Sequence, residues 1–196
     1  MSRISRNQLL YEGCYAHIIS RSIRKEKILN QAEDLKCFLR LLKEAKYKHP
    51  FNLFHYCLMK THFHLVVQVL SREEFSKALN YVKSRYVIYF HRKYKLNGPI
   101  WRERYKSLLI ENQFYLHACG RYVEYNPVKA GIVNLIEEWE YSSAKHYLGL
   151  GSDPLINDYE VPDDSIKIDY KDSVGFEEGQ GIGSEYFKFK LRRNLK

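Results

Sequence analysis

Hydrophobic and polar positions change period several times along this chain, and each change marks an element. Residues 14–21, CYAHIISR, alternate and carry β-branched side chains, which predicts a strand. Over 30–49 the period lengthens: Leu35, Phe38, Leu39, Leu42 and Ala45 recur at helical spacing, with Asn30 as the N-cap and Pro50 as the stop. Two strand-like runs follow, FNLFHYCLM (51–59) and HFHLVVQVL (62–70), parted only by Lys60 and Thr61, which reads as a hairpin. Ser71 with Glu74 forms a capping box that opens a helix through Tyr94, its apolar face made by Phe75, Leu79, Val82, Tyr86 and Tyr89. After a loop at 98–104, GPIWRER, the run YKSLLIE (105–111) predicts a fourth strand, and residues 112–126 predict a third helix ended by Pro127.

The predicted order is β α β β α β α. Two βαβ-type units around an antiparallel hairpin specify an α+β, ferredoxin-like (βαββαβ) sheet with an added C-terminal helix. That architecture hosts many activities and by itself names none. Residues 132–148 predict an ordered strap that lays Trp139 and Tyr141 on the body, so the main domain is placed at 1–148. From 149 to 183 Gly, Asp, Pro and Ser accumulate and periodicity fades, which predicts an acidic linker or arm. Residues 184–196 read as a short basic segment with Ser184 as a cap.

Charge sharpens this division. The net charge of +9 is unevenly spread: residues 1–150 hold 25 Lys and Arg against 13 Asp and Glu, residues 151–186 hold 2 against 10, and the last ten add five basic side chains. So basic a body suits a polyanionic partner, because each neutralised phosphate releases condensed counterions, though a solvated basic surface also keeps a protein soluble. No apolar run reaches the roughly 18 residues of a membrane span and no signal-peptide pattern is present, so the expected location is the bacterial cytoplasm, at the nucleoid. The four cysteines, Cys14, Cys37, Cys57 and Cys119, form no CxxC pair, which argues against a zinc knuckle or a disulfide framework.

The candidate chemistry begins at His62-Phe63-His64. Side chains alternate along a strand, so both imidazoles emerge on one face while Phe63, Leu65, Val67 and Val69 take the other. Alone the pair admits two readings, one shared metal ion or two hydrogen-bonded histidines. On the third helix Tyr122 and Asn126 stand four residues apart and share a face, which offers a phenol and an amide. Tyr122 also reads as one more core tyrosine, and Asn126 as a turn residue before Pro127.

HIISRS, CLMKTHFHLVV, GPIWRERYKSLLIE, RYVEYNPVKAGIV and WEYSSAKHYLG, in this order and spacing, resemble the HUH tyrosine transposases (IS200-like), and most of all the REP-associated tyrosine transposases. The resemblance covers about residues 11–150. It implies a metal-dependent single-stranded DNA endonuclease and strand transferase acting at hairpin-forming repeats. Carried over by motif, His62, His64 and Asn126 hold a divalent metal, Mg2+ or Mn2+, and Tyr122 is the nucleophile that forms a 5'-phosphotyrosine and releases a 3'-hydroxyl. The partner implied is hairpin or palindromic single-stranded DNA, with monomer and homodimer both open. A relative that binds such hairpins, DNA or RNA, without cutting is the alternative function. Departures from the family pattern are Met59-Lys60-Thr61 before the histidines, SRS after the first strand, and WEYSS in the strap.

For DNA contact the interleaved Trp101, Arg102, Arg104, Tyr105 and Lys106 offer rings for bases and cations for phosphates, joined by Arg21 at the end of the first strand. Packing of Trp101 into the core is the competing reading. Lys83, Arg85, Arg92, Lys93 and Lys95 form a second candidate basic surface, while His17 and His117 read as structural.

Overall fold

The structure, a computed structural model, describes residues 10–160. The arm from 161 to 183 and the basic segment 184–196 lie outside the described residues.

The elements follow the predicted order: β1 (Tyr15–Arg21), α1 (Ala32–Lys48), β2 (Asn52–Met59), β3 (His62–Gln68), α2 (Arg72–Tyr94), β4 (Lys106–Ile110), α3 (Gln113–Lys129) and a short α4 (Ala144–Tyr147). The sheet is antiparallel throughout in the order β2-β3-β1-β4, the ferredoxin-like arrangement. Lys60 and Thr61 turn β2 into β3, and Thr61 also ties the hairpin to β1 by accepting a backbone bond from Ser22 (2.8 Å). Alternation sorts the side chains. Ala16, Ile18, Leu58, Phe63, Leu65 and Val67 face α1 and α2, where they meet Phe38, Leu42, Phe75, Leu79, Val82 and Tyr86 in the main core. On the opposite face α3 closes a smaller cluster with Phe54, Cys57, Met59, Val66 and Ile110. Both faces are covered, which explains why β2 and β3 read as nearly continuous apolar runs.

Tertiary packing moved two predicted boundaries. The N-cap of α1 is Gln31, not Asn30: the Gln31 backbone N–H donates to Asp34 Oδ2 (3.0 Å). Asp34 is wholly buried and accepts from Lys93 (2.7 Å), Tyr94 (2.8 Å) and Tyr89 (3.0 Å), pinning the end of α2 to the start of α1. Burial pushes its carboxyl pKa up, but those donors outweigh it and hold the group below the usual carboxylate range. Tyr89 packs half-buried against the core as expected while its hydroxyl serves that carboxylate, and Phe90 is buried beside it. Pro127 lies inside α3 rather than ending it. Its missing N–H frees the Val123 carbonyl, and the Asn126 amide nitrogen donates there (3.2 Å) and to Tyr122 O (2.9 Å).

The strap lies along the free edge of β2, as expected. Trp139 Nε1 donates to Leu58 O (2.9 Å), Leu58 N donates to Tyr141 O (2.9 Å), and Ser143 N donates to Tyr56 O (3.1 Å). Residues 153–159 continue this cover. Asn157 bonds Leu53 in both directions (2.7 and 2.9 Å) at the bulge of β2, and Tyr56 Oη donates to Asp153 (2.6 Å). An unpaired edge is thereby removed.

Lys83 leaves the candidate basic surface, for it is buried beneath the loop before β4. Its ammonium donates to Ser20 Oγ (2.8 Å), to Glu103 O (2.6 Å) and to Arg104 O, and lies 5.2 Å from the centre of the Trp101 ring. Burial lowers its pKa to about 8, with Glu103 opposing. Between that value and the ordinary 10.5 the unfolded chain holds more protons, so stability rises with pH. From pH 7.5 to 9.5 the wild type is expected to gain about 2 kcal/mol over Lys83→Met in urea melts. Equal pH slopes for the two proteins would refute this.

Candidate nuclease site

The site is built on the α3 face of the sheet. Strand register puts Arg21 opposite His62, and His62 opposite Met59; in the next row Lys106, Ile19, His64 and Cys57 stand side by side. Paired residues point to the same face, so Arg21, Lys106 and both histidines share the surface that α3 covers. The two rings are 4.9 Å apart at 77°. His64 is buried, and its Nδ1 lies 2.9 Å from Nε2 of His17. His62 engages Thr61 Oγ1 through Nδ1 (2.9 Å). In both rings Nε2 is the nitrogen not taken up by these bonds, and His64 Nε2 is buried with no hydrogen-bond partner.

Burial strips the charge from all three rings. It lowers the His17 pKa to about 3, that of His62 to about 4 with help from Arg21, and that of His64 well below the normal range. Neutral imidazoles with lone pairs are what a cation needs, and the orphaned His64 Nε2 fits that role. Among the described residues no group of three or more His, Cys, Asp or Glu side chains is arranged to hold a metal. On α3 the amide nitrogen of Asn126 is committed to the helix backbone.

The same depression makes the fold acid-sensitive. Above pH 6.5 folded and unfolded states carry the same neutral rings, but below it only the unfolded chain takes up protons. In chelator, acidification from pH 7 to 4.5 is expected to cost about 2–3 kcal/mol for His17 alone, read as a falling denaturation midpoint. A midpoint that holds steady to pH 4.5 would contradict burial of these imidazoles.

Tyr122 is partly buried against the apolar cluster of the α3 face, beside Met59 and Cys119. Burial raises its phenol pKa, Cys119 adds to this, and the Arg21 cation opposes it. Arg21 also acts on both His62 and His64. One guanidinium thus acts on the phenol of α3 and the histidine pair of β3 together. Lys129 lies 5.5 Å from the Tyr122 ring centre, while Tyr125 points to solvent.

A cleft of about 640 Å³ opens beside His62, and Arg21, Arg24, Lys25, Thr61 and Arg102 line it. Arg21 and Arg102 thus line one cleft, Lys106 lies on the same sheet face as the histidines, and Arg104 is exposed on the loop of Arg102. Two rings predicted to touch DNA pack on the α1–α2 side of the sheet. Tyr105 is buried, and Trp101 packs its ring against Phe38, Phe63 and Tyr86 while its Nε1 donates to Lys83 O (3.3 Å). Both face α1 and α2, away from the histidines, because an aromatic ring at a loop–strand junction gains more from burial than from exposure.

The sequence reading did not find the network that seats α3. His55 of β2, wholly buried, bonds Glu124 through Nδ1 (2.9 Å) and Tyr159 Oη through Nε2 (2.7 Å); Ser143 of the strap also bonds Glu124 (2.6 Å). Tyr159 reaches His117 as well (3.0 Å). The available signal was a glutamate on the inner face of an otherwise apolar helix, which requires buried partners. Lys93, one of the predicted basic surface residues, is likewise committed to Asp34.

Comparison with known proteins identifies the family. The sequence matches the family described as "Transposase IS200 like" over residues 10–126. A Haemophilus influenzae protein described as a REP-associated tyrosine transposase is 27% identical over 117 residues, which span 54% of this chain and 66% of that relative. Among solved structures, a REP-associated tyrosine transposase bound to a REP hairpin superposes with a TM-score of 0.63 at 21% identity, covering 84% of this chain and 96% of that one. Its likeness is one of fold. Among the described residues no helix is long and apolar enough to cross a membrane. The family match spans more than half of the sequence and takes in β1 to α3 with His62, His64, Tyr122 and Asn126, so the chain belongs to the IS200-like transposase family.

Proposed function

We propose that this protein is a metal-dependent endonuclease and strand transferase for hairpin-forming single-stranded DNA, with Tyr122 as its nucleophile. The observation that supports this reading is that Arg21, opposite His62 in the sheet, acts electrostatically on His62, His64 and Tyr122 alike. The hairpin partner is inferred from the structural neighbour, which is bound to a REP hairpin.

Arg21, Arg102 and Lys106 take the phosphate backbone and set it against the histidine face. His62, His64 and Asn126 Oδ1 would hold Mg2+ or Mn2+, whose contribution when bound is charge withdrawal from the scissile phosphate. Tyr122 Oη attacks phosphorus, the bond to the 3' oxygen breaks, and the phenolic proton balances the 3'-hydroxyl that leaves. The product is a 5'-phosphotyrosine, from which the reverse attack rejoins strands without a nucleotide cofactor. Because Tyr122 is a neutral phenol at pH 7, Arg21 has a second task, favouring the phenolate as it forms.

The test is incubation with 5'- and 3'-labelled hairpin-bearing single strands plus Mg2+ or Mn2+, followed by denaturing gels. A metal-dependent covalent adduct carrying the strand 3' of the nick is expected. Tight hairpin binding without any adduct, across a library of hairpins, would replace this reading with that of a non-cleaving binding module.

A further inference from the structure

Two consecutive residues beside the cleft, Arg24 and Lys25, hold left-handed backbones, with φ of 49° and 58°. Neither is a glycine, and a side chain in that region is strained because its Cβ crowds the following carbonyl oxygen. Among the described residues the third such case, Lys95, caps the C-terminus of α2, where a left-handed residue is a common way to end a helix. Arg24 and Lys25 end no α-helix. They make the turn between β1 and α1, and bonds around them hold it in shape: Ser22 N donates to Thr61 O (2.8 Å), Ile23 N to Ile100 O (2.9 Å), Glu26 N to Ile23 O (2.9 Å) and Ser22 Oγ to Glu26 O (2.7 Å). Glycine would fit the same turn without strain.

What Arg24 and Lys25 add is charge. In extended backbone consecutive side chains diverge, whereas this turn brings both, exposed, to the wall of the cleft of about 640 Å³. With Arg21 and Arg102 they make four cations on one concave surface, and Glu26, next in the turn, does not line it. Among the described residues none of the four is ion-paired with a carboxylate. Uncompensated charge of one sign in a concavity attracts the opposite charge. The cleft also reaches His62, so a strand whose phosphate lies against the histidine pair has room there for the phosphates next to it.

We propose that the β1–α1 turn is a phosphate-binding subsite, in which Arg24 and Lys25 hold the backbone of single-stranded DNA beside the phosphate at the histidine pair. The place of the strand rests on the proposed function. The anion chemistry of the turn does not.

The test is binding of the full chain to a labelled hairpin with a single-stranded flank, in chelator so that no strand is cut, over a series of KCl concentrations. Arg24→Gly and Lys25→Gly are each expected to flatten the slope of log K against log salt by about 0.7, the share of one contact to a single strand, and to bind about 5-fold more weakly near 0.1 M salt. Arg24→Lys should keep the wild-type slope. Both glycine variants should unfold at no lower denaturant concentration than wild type, since the strain is relieved. Glycine variants that lose stability while the salt slope stays put would make the turn purely structural and overturn the proposal. Lys27, exposed two residues on and outside the cleft, controls for net charge: Lys27→Gln should keep the slope, and an equal flattening there overturns the subsite. On the same hairpin without its flank the variants should match wild type; an equal loss would place the contact on the stem and overturn the assignment to single strand. Phosphate in place of chloride at equal ionic strength should displace the strand no better, and displacement from wild type but not from the glycine variants would give the turn to free phosphate instead. Slopes that fall as expected, with no covalent adduct once metal is added, would sink the nuclease reading and leave the subsite standing.

Discussion

Replacing Tyr122 by phenylalanine is expected to abolish the covalent protein–DNA adduct while leaving the fold and hairpin binding in place. The ring is what packs: Tyr122 lies half-buried against the apolar cluster of the α3 face, and phenylalanine keeps that packing. Burial keeps the phenol protonated, so the substitution removes no charge at neutral pH. The stability cost should stay within about 1 kcal/mol, the scale of one hydrogen bond. Loss of the attacking oxygen removes the chemical step itself, and a drop of at least about 10³-fold in adduct formation is expected. Tyr125 is the internal control: it is 53% exposed, and Tyr125→Phe should form adduct as the wild type does. Adduct that persists in Tyr122→Phe and disappears in Tyr125→Phe would move the nucleophile to the neighbouring face of α3.

The second large effect concerns how α3 is seated. A helical glycine exchanged for alanine usually stabilises by up to about 1 kcal/mol, because alanine gives up less backbone freedom on folding. At Gly120 the sign is expected to reverse. A Cβ there would stand 2.3 Å from Cδ2, Cε1 and Nε2 of His55. The ring has nowhere to retreat, since Tyr147 stacks on it at 4.2 Å, Glu124 holds Nδ1 and Tyr159 holds Nε2. Either α3 lifts from β2 or the buried His55–Glu124 bond opens, and Gly120→Ala is expected to cost about 3–5 kcal/mol in denaturant melts. His55→Ala in the same chain should relieve the clash, so that the double variant loses less than the two single losses together. A Gly120→Ala protein as stable as wild type would show that α3 does not approach the sheet this closely. Since Tyr122 is two residues on, activity should fall with the seating of the helix.

The candidate site was only half legible in the sequence. That His62 and His64 share a face follows from the two-residue repeat of a strand, and that Tyr122 and Asn126 share one follows from the helical repeat. Both relations are local, and both hold. What failed was each inference that needed to know what lies on the far side of a residue. Trp101 and Tyr105 sit in a basic stretch and read as base-stacking rings, but their side of the sheet is covered by α1 and α2. Lys83 and Lys93 read as surface charge and are bound into the interior by carbonyls and a buried carboxylate. Pro127 reads as a stop, and the amide next to it repairs the helix it would have broken.

The sequence by itself determined the elements, their order and the ferredoxin-like class, because strand and helix periods come from backbone stereochemistry that each residue carries with it. It also determined the pairing of histidines and the spacing of the phenol and amide. Tertiary structure alone decided that β1 lies between β3 and β4, and hence that Arg21 stands opposite His62 and that His17 meets His64. The physical reason is that register between strands far apart in the chain is set by which buried faces close on each other. That closure is a property of the whole packed core, and no short stretch of residues contains it.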